Sequence, residues 1–288
     1  MTFLTARSTE QAVSELALRG DELLVLAGGT DVMVQYQRRE IQHSSWLQIR
    51  RIKELQRIDI ATGDRLNIGA LTSHRVISLD PLVARWAPAL ATACSTVGGW
   101  QTQEAGTIGG NICNASPAAD LAPPLLAADA TVTLMSSRGS RTMPLSEFIL
   151  GRRSTARQPD ELATALELKP LPDRAGEVYL KLGPRRAMEV ALVGLAVRLM
   201  FDDDGVVIDA RVAVGSVAPA PFRSQEAERA LIGSRFNDVA AIEAAAAALT
   251  ADAAPIDDAR APAVYRRRVL SPLLARAIAQ CQNQTIRN

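Results

Sequence analysis

Two glycine-rich stretches constrain this chain more than any other feature. The first, Gly28-Gly29-Thr30-Asp31, follows the apolar run Leu23-Leu24-Val25-Leu26-Ala27, and the second is Gly106-Thr107-Ile108-Gly109-Gly110-Asn111. Glycine permits φ > 0 and removes the Cβ that would keep a ligand from the main chain, so successive amide N–H groups can converge on an anion. One Gly-Gly pair signals no more than a turn. Two such loops, each leaving an α/β element and each carrying Thr or Asn donors, favour a diphosphate held between them. Neither loop has the G-x-G-x-x-G spacing of a Rossmann turn, and no G-x-x-x-x-G-K-[ST] occurs in the chain. Pattern alone stops at a dinucleotide or phosphate site.

The surrounding segments read as mixed α and β structure. Ser8 with Gln11 makes a capping box ahead of a helix whose Val13, Leu16 and Ala17 share one face. Leu23 to Ala27 reads as a buried strand, Val32 to Arg39 as a helix or loop, and Trp46 to Ile49 and Leu66 to Ile68 as further strands. Helical segments follow around Val83 and from Pro88 to Val97. In Ala115-Ser116-Pro117-Ala118-Ala119-Asp120, Ser116 and Pro117 suit the cap and first turn of a short helix. Thr131 to Met135 and Leu162 to Leu168 are expected strands, and Pro170-Leu171-Pro172 marks a domain boundary. Beyond it lie three expected strands, Val178 to Leu182, Leu192 to Phe201 and Val206 to Val217. Helices follow over Ser224 to Leu231, Val239 to Leu249 and Ala261 to Ala279. A three-stranded antiparallel sheet with a helix bundle is the simplest packing.

Composition excludes several functions. Thirty-two Lys and Arg against 31 Asp and Glu leave a net charge of +1, which gives no basic surplus for a nucleic acid. The longest apolar stretch, Val190 to Phe201, is interrupted by Arg198 and is too short to span a bilayer. The N-terminus has no apolar signal core, and Cys94, Cys113 and Cys281 are too scattered for a disulfide framework, so the chain is expected in the cytoplasm. With no C-x-x-C and only His43 and His74 as histidines, no zinc or iron–sulfur site can be assembled by a usual ligand pattern. The cysteines are read as structural and both histidines as surface or packing residues. Asp202-Asp203-Asp204 matches no EF-hand loop and reads as a hairpin turn. Arg266-Arg267-Arg268 reads as solvated or interface charge.

At the two glycine loops and the Ala115 to Asp120 segment the chain resembles the FAD-binding medium subunits of the molybdenum hydroxylases, the group of carbon monoxide dehydrogenase and xanthine dehydrogenase. The resemblance continues through Ile68-Gly69-Ala70-Leu71-Thr72, Lys181-Leu182-Gly183 with Arg185-Arg186, Val214-Gly215-Ser216-Val217-Ala218-Pro219, Ile256-Asp257-Asp258 and Tyr265-Arg266. It implies an α+β fold: a two-subdomain FAD-binding domain of the vanillyl-alcohol-oxidase (PCMH) type over residues 1–172, and a C-terminal domain of the carbon monoxide dehydrogenase flavoprotein type over 173–288. It further implies non-covalent FAD, with its diphosphate between Ala27, Gly28, Gly29, Thr30, Asp31 and Val32 on one side and Thr107, Ile108, Gly109, Gly110 and Asn111 on the other. Val97 and Ala163 would flank the cofactor, Asp120 would accept from its hydroxyls, and Lys181 would lie near the flavin. Ala163 stands where relatives usually carry Leu.

The implied role is electron transfer with no catalytic residue of its own. Molybdopterin would sit in a large partner subunit and [2Fe-2S] clusters in a small one, in a heterotrimer or a dimer of heterotrimers. The resemblance leaves the substrate and the terminal acceptor open. Two rival readings are a stand-alone FAD oxidase, for which the sequence offers no obvious substrate base, and a scaffold that has lost FAD, against which the intact Gly28-Gly29 and Gly109-Gly110 argue.

Overall fold

Short apolar runs alternating with helices in the first fifty residues build a parallel sheet in the computed structural model, which describes residues 2–185 and 188–285. Thr2–Thr5 and Leu23–Leu26 flank Ser45–Gln48, both pairing parallel to it. Parallel pairing needs a crossover, and the helix Thr9–Arg19 supplies one, burying Ala12, Val13 and Leu16. Its start is as expected: Ser8 Oγ accepts from Gln11 N and Gln11 Oε1 accepts from Arg7 N.

A second, five-stranded antiparallel sheet carries the rest of the N-terminal domain, in the order Ile58–Ala61, Arg65–Gly69, Leu162–Leu168, Thr131–Ser136, Gly139–Pro144. Short helices, among them Pro88–Thr96 and Ala122–Ala127, pack on it around a core that includes Leu66, Ile68, Leu90, Ile108 and Phe148. The third sheet belongs to the C-terminal domain. Ala175–Leu182, Val193–Phe201 and Val207–Gly215 are its three long strands, and a two-residue strand, Phe222–Arg223, extends the expected three to four by pairing with Ala213 and Val214. Helices Gln225–Leu231, Val239–Asp252 and Ala263–Thr285 complete this domain.

Buried polar contacts join the domains. Glu177 Oε2 accepts from Ala89 N at 3.2 Å, and the Arg198 guanidinium donates to the Pro170 carbonyl at 2.6 Å.

Two expectations are corrected. Ser116 caps a turn rather than a helix: its Oγ accepts from Ala118 N and its carbonyl from Ala119 N, the Pro117 carbonyl accepts from Ser216 N of the C-terminal domain, and helix begins only at Ala122. Arg266 is buried at 2% exposure instead of solvated, and donates to the Leu192 and Ser216 carbonyls and to Asp258. Arg186 of the Arg185-Arg186 pair lies outside the described residues. Asp202 to Gly205 form the anticipated hairpin turn. Among the described residues no helix is long and apolar enough to cross a membrane, and no group of His, Cys, Asp and Glu is arranged to hold a metal ion.

Candidate functional site: a diphosphate cradle between two loops

The strand Leu23–Leu26 delivers the first glycine loop to the edge of a cavity of about 470 Å³. Gly29 takes φ +75°, which turns the chain before helix Val32–Gln37 opens with Met33 N bonded to the Gly29 carbonyl. Among the described residues, no protein acceptor takes the N–H groups of Gly28, Gly29, Thr30, Asp31 or Val32. Five consecutive free amides at the rim of a cavity make an anion-binding concavity of the kind the sequence suggested. Ala27 through Val32 all line it.

The second loop works differently. Its amides are spent on the protein: Ile108 N donates to the Thr72 carbonyl, Gly109 N to the Ala70 carbonyl, and Gly110 N to Thr107 Oγ1. A Cβ on Gly109 would lie 2.7 Å from both the Cβ and the carbonyl oxygen of Ala70, so this glycine serves the close approach of the loop to the sheet. The two loops therefore differ in what they offer, the first bare amides and the second amides already bonded to the protein. The second loop forms the opposite wall. Thr107, Gly109, Gly110 and Asn111 line the cavity, whereas Ile108 is fully buried in the core. Asn111 Oδ1 is buried without a hydrogen-bond partner, an acceptor waiting for a donor on whatever fills the space.

The two walls are held at a fixed spacing. A Cβ at Gly28 would come within 2.7 Å of the Ala105 carbonyl carbon and 3.0 Å of Gly106 Cα. Gln35 Nε2 donates to Asn114 Oδ1 at 2.9 Å, tying the helix after the first loop to the residues after the second. Ala163, on the strand Leu162–Leu168, lines the same space.

Asp120, Lys181 and Val97 do not line this cavity but gather at a second place. Lys181 Nζ donates to Asp120 Oδ2 and to the Thr96 carbonyl, both at 2.8 Å, and Tyr179 Oη donates to Asp120 Oδ1 at 2.7 Å. Val97 follows Thr96 at the end of helix Pro88–Thr96. Asp120 and Lys181 side chains are each 8% exposed. Burial pushes the Asp120 carboxyl above its usual range against the opposing pull of Lys181, and pushes the Tyr179 hydroxyl well above its own.

Sequence reasoning missed several cavity residues. Arg153 holds φ +56°, pairs with Glu40 at 3.2 Å and shares the cavity with Asp31, whose carboxyl is raised by burial and lowered by Arg153. Its only sequence trace is its place directly after Gly151-Arg152. Cys113, half-buried, also lines the cavity, while Cys94 and Cys281 are buried as expected. His74 is buried and lines it too, although it reads from sequence as a packing residue.

The fold and the cradle define the class: a two-domain protein of parallel and antiparallel sheets with a cavity of about 470 Å³ rimmed by a free-amide loop. Residues 1–171 match the FAD binding domain in molybdopterin dehydrogenase and residues 178–281 the CO dehydrogenase flavoprotein C-terminal domain. The chain belongs to this family of FAD-binding flavoprotein subunits of molybdenum dehydrogenases. It is 32% identical over 257 residues to the xanthine dehydrogenase FAD-binding subunit of Escherichia coli O157:H7, covering 89% of this chain and 87% of that one. It is 30% identical to the carbon monoxide dehydrogenase medium chain of Hydrogenophaga pseudoflava, covering 94% and 93%. The crystallised carbon monoxide dehydrogenase from that organism, lacking the Mo-pyranopterin moiety, superposes with a TM-score of 0.93 at 30% identity, covering 98% and 96%.

The residues present fit FAD. A diphosphate can take the five free amides, a hydroxyl or amino group can satisfy Asn111 Oδ1, and the Gly28 contact keeps the walls apart by one backbone thickness.

Proposed function

We propose that this chain relays electrons within a molybdenum-containing dehydrogenase. In this reading residues 1–172 hold FAD non-covalently, residues 173–288 form the C-terminal domain, and electrons arrive from an iron–sulfur small subunit served by a molybdopterin-binding large subunit. Bound FAD supplies a carrier that takes up electrons one or two at a time and passes them to a terminal acceptor. The chain's own residues bind and orient: Gly28 to Val32 donate to the diphosphate, Asn111 accepts from a hydroxyl or amino group, and Asp120 with Lys181 places a fixed charge pair beside Val97. The heterotrimer, or a dimer of heterotrimers, is supported by the medium-chain relatives, whose names describe one chain of a larger enzyme.

The observation that carries the reading is the unbroken run of free amides at Gly28 to Val32, within a family match that spans both domains. A scaffold without FAD has no use for it. The test is anaerobic mixing of the organic substrate with the lone chain and with the complex reassembled from all three subunits, following flavin bleaching. Bleaching is expected only in the complex. Rapid bleaching of the lone chain would overturn the relay role in favour of a stand-alone oxidase.

A further inference from the structure

His74 opens helix His74–Leu79 directly after the capping residue Ser73, whose Oγ accepts from Val76 N. That position brings its ring beside the second loop. A Cβ on Gly106 would lie 2.9 Å from both Cδ2 and Nε2 of His74, and His74 N donates to the Gly106 carbonyl at 3.1 Å. On its other side the Ala105–Gly106 peptide meets Gly28. The imidazole and the first glycine loop thus grip one peptide between them, and His74 is only 3% exposed while still lining the cavity.

Neither ring nitrogen makes a hydrogen bond among the described residues, and Nδ1 is sealed without a partner. Buried polar atoms in folded proteins are overwhelmingly paired, and an unpaired one needs a reason. Burial holds this ring neutral, with its pKa lowered to about 4, so it carries one N–H and one bare nitrogen. A sealed acceptor is less costly than a sealed donor, which puts the proton on Nε2. A packing role would be met as well by a leucine or phenylalanine. A donor with no protein acceptor, fixed at the wall of a cradle of free amides, has an anionic ligand as its natural partner.

We propose that His74 is a cofactor-binding residue that donates Nε2–H to an anionic oxygen of the bound dinucleotide. The proposal rests on the FAD reading above and adds a side-chain donor to the main-chain ones. It also explains why the ring is wedged against Gly106: a fixed imidazole offers its donor without the cost of ordering a mobile side chain.

The experiment uses the full chain, stripped of flavin and titrated with FAD by fluorescence quenching. His74→Phe keeps a ring against Gly106 but removes both nitrogens, and is expected to weaken FAD binding about ten-fold or more, the scale of one hydrogen bond to a charged group. His74→Gln, which restores an N–H, is expected to recover most of that loss. Because the chain has only two histidines, ¹⁵N-histidine labelling gives a second readout with His43 as internal control. On adding FAD the His74 Nε2–H resonance should shift downfield and exchange more slowly while His43 stays put, and this measurement needs no variant to fold. Unchanged affinity in His74→Phe, or unchanged His74 resonances in the FAD-bound wild type, would overturn the proposal. Failure of the wild-type chain to bind FAD at all would instead overturn the cofactor reading.

Discussion

Gly28 and Ala105 approach so closely that a Cβ on Gly28 would fall 2.7 Å from the Ala105 carbonyl carbon. This one contact sets the distance between the wall that donates and the wall that accepts. Gly28→Ala should therefore push the first loop outward. The overlap is with backbone, which cannot rotate away, so a cost of about 1–3 kcal/mol in stability is expected. FAD affinity should fall by more than the stability loss accounts for, as calorimetric Tm and FAD titration on the same preparation would reveal.

Gly29 and Gly109 look alike in sequence and differ in what they do. Gly29→Val puts a β-branched residue at φ +75°, beside Met33 and Leu26, and should disable the free-amide loop while leaving the sheets intact. Gly109→Val drives a side chain into Ala70 and should lower Tm at least as strongly as it lowers FAD occupancy. Thermal denaturation of the two apo variants separates these outcomes: a larger Tm loss for Gly29→Val would contradict the assignment of roles.

Asp120 and Lys181 are a buried pair, and removing one partner strands the other. Asp120→Asn and Lys181→Met are each expected to destabilise by about 3–5 kcal/mol, whereas the double variant should recover a large part of that loss. Tyr179→Phe, which removes one hydrogen bond to the Asp120 carboxylate, should cost about 1.5–3 kcal/mol, less than losing the ion-pair partner. A double-mutant cycle in urea checks the coupling; additive losses would mean that the 2.8 Å contact contributes no coupling in solution.

His74 gives the apo chain an acid sensitivity of stated sign. Its folded pKa, about 4, lies below the 6.5 of an unfolded histidine, because burial disfavours the charged ring. Between those values the unfolded chain binds a proton that the native chain does not, so stability falls as pH drops from 6.5 to 4, by about 3 kcal/mol in total. Two cavity carboxyls add their own slopes: Asp31, raised by burial, and Glu161, lowered by its hydrogen bonds from Arg141. The contribution of His74 is isolated by comparing urea midpoints of wild type and His74→Phe across this range: the variant should show the shallower decline.

Much of this architecture was legible because local signals and tertiary demand agreed. The alternation in Leu162 to Leu168 and its flanking turn residues mark a strand that occupies those same residues, and Ser8 with Gln11 caps its helix as read. Thr2–Thr5 escaped notice because no residue in it is fully buried, and its pairing with Ser45–Gln48 is decided far along the chain. Ile58–Ala61, an edge strand with no fully buried residue and with Ile60 exposed, is equally weak as a pattern. The first glycine loop was readable because positive φ and a preceding strand leave a compositional mark. The division of labour between the loops was not, since the bonds of Ile108 and Gly109 run to Thr72 and Ala70, which only the fold brings near. His74 and Arg153 were hidden for the same reason: each becomes a cavity residue only once distant segments meet.

In the proposed role Gly28 to Val32 supply the free amides that hold the FAD diphosphate, while the second loop is a prebuilt wall. Residue-resolved amide hydrogen exchange of the full chain, with and without FAD, measures this directly. FAD is expected to slow exchange at Gly28, Gly29, Thr30, Asp31 and Val32 and to change little at Ile108, Gly109 and Gly110, whose amides are already bonded. FAD bound with unchanged exchange across Gly28 to Val32, or with protection confined to Ile108 to Gly110, would contradict it.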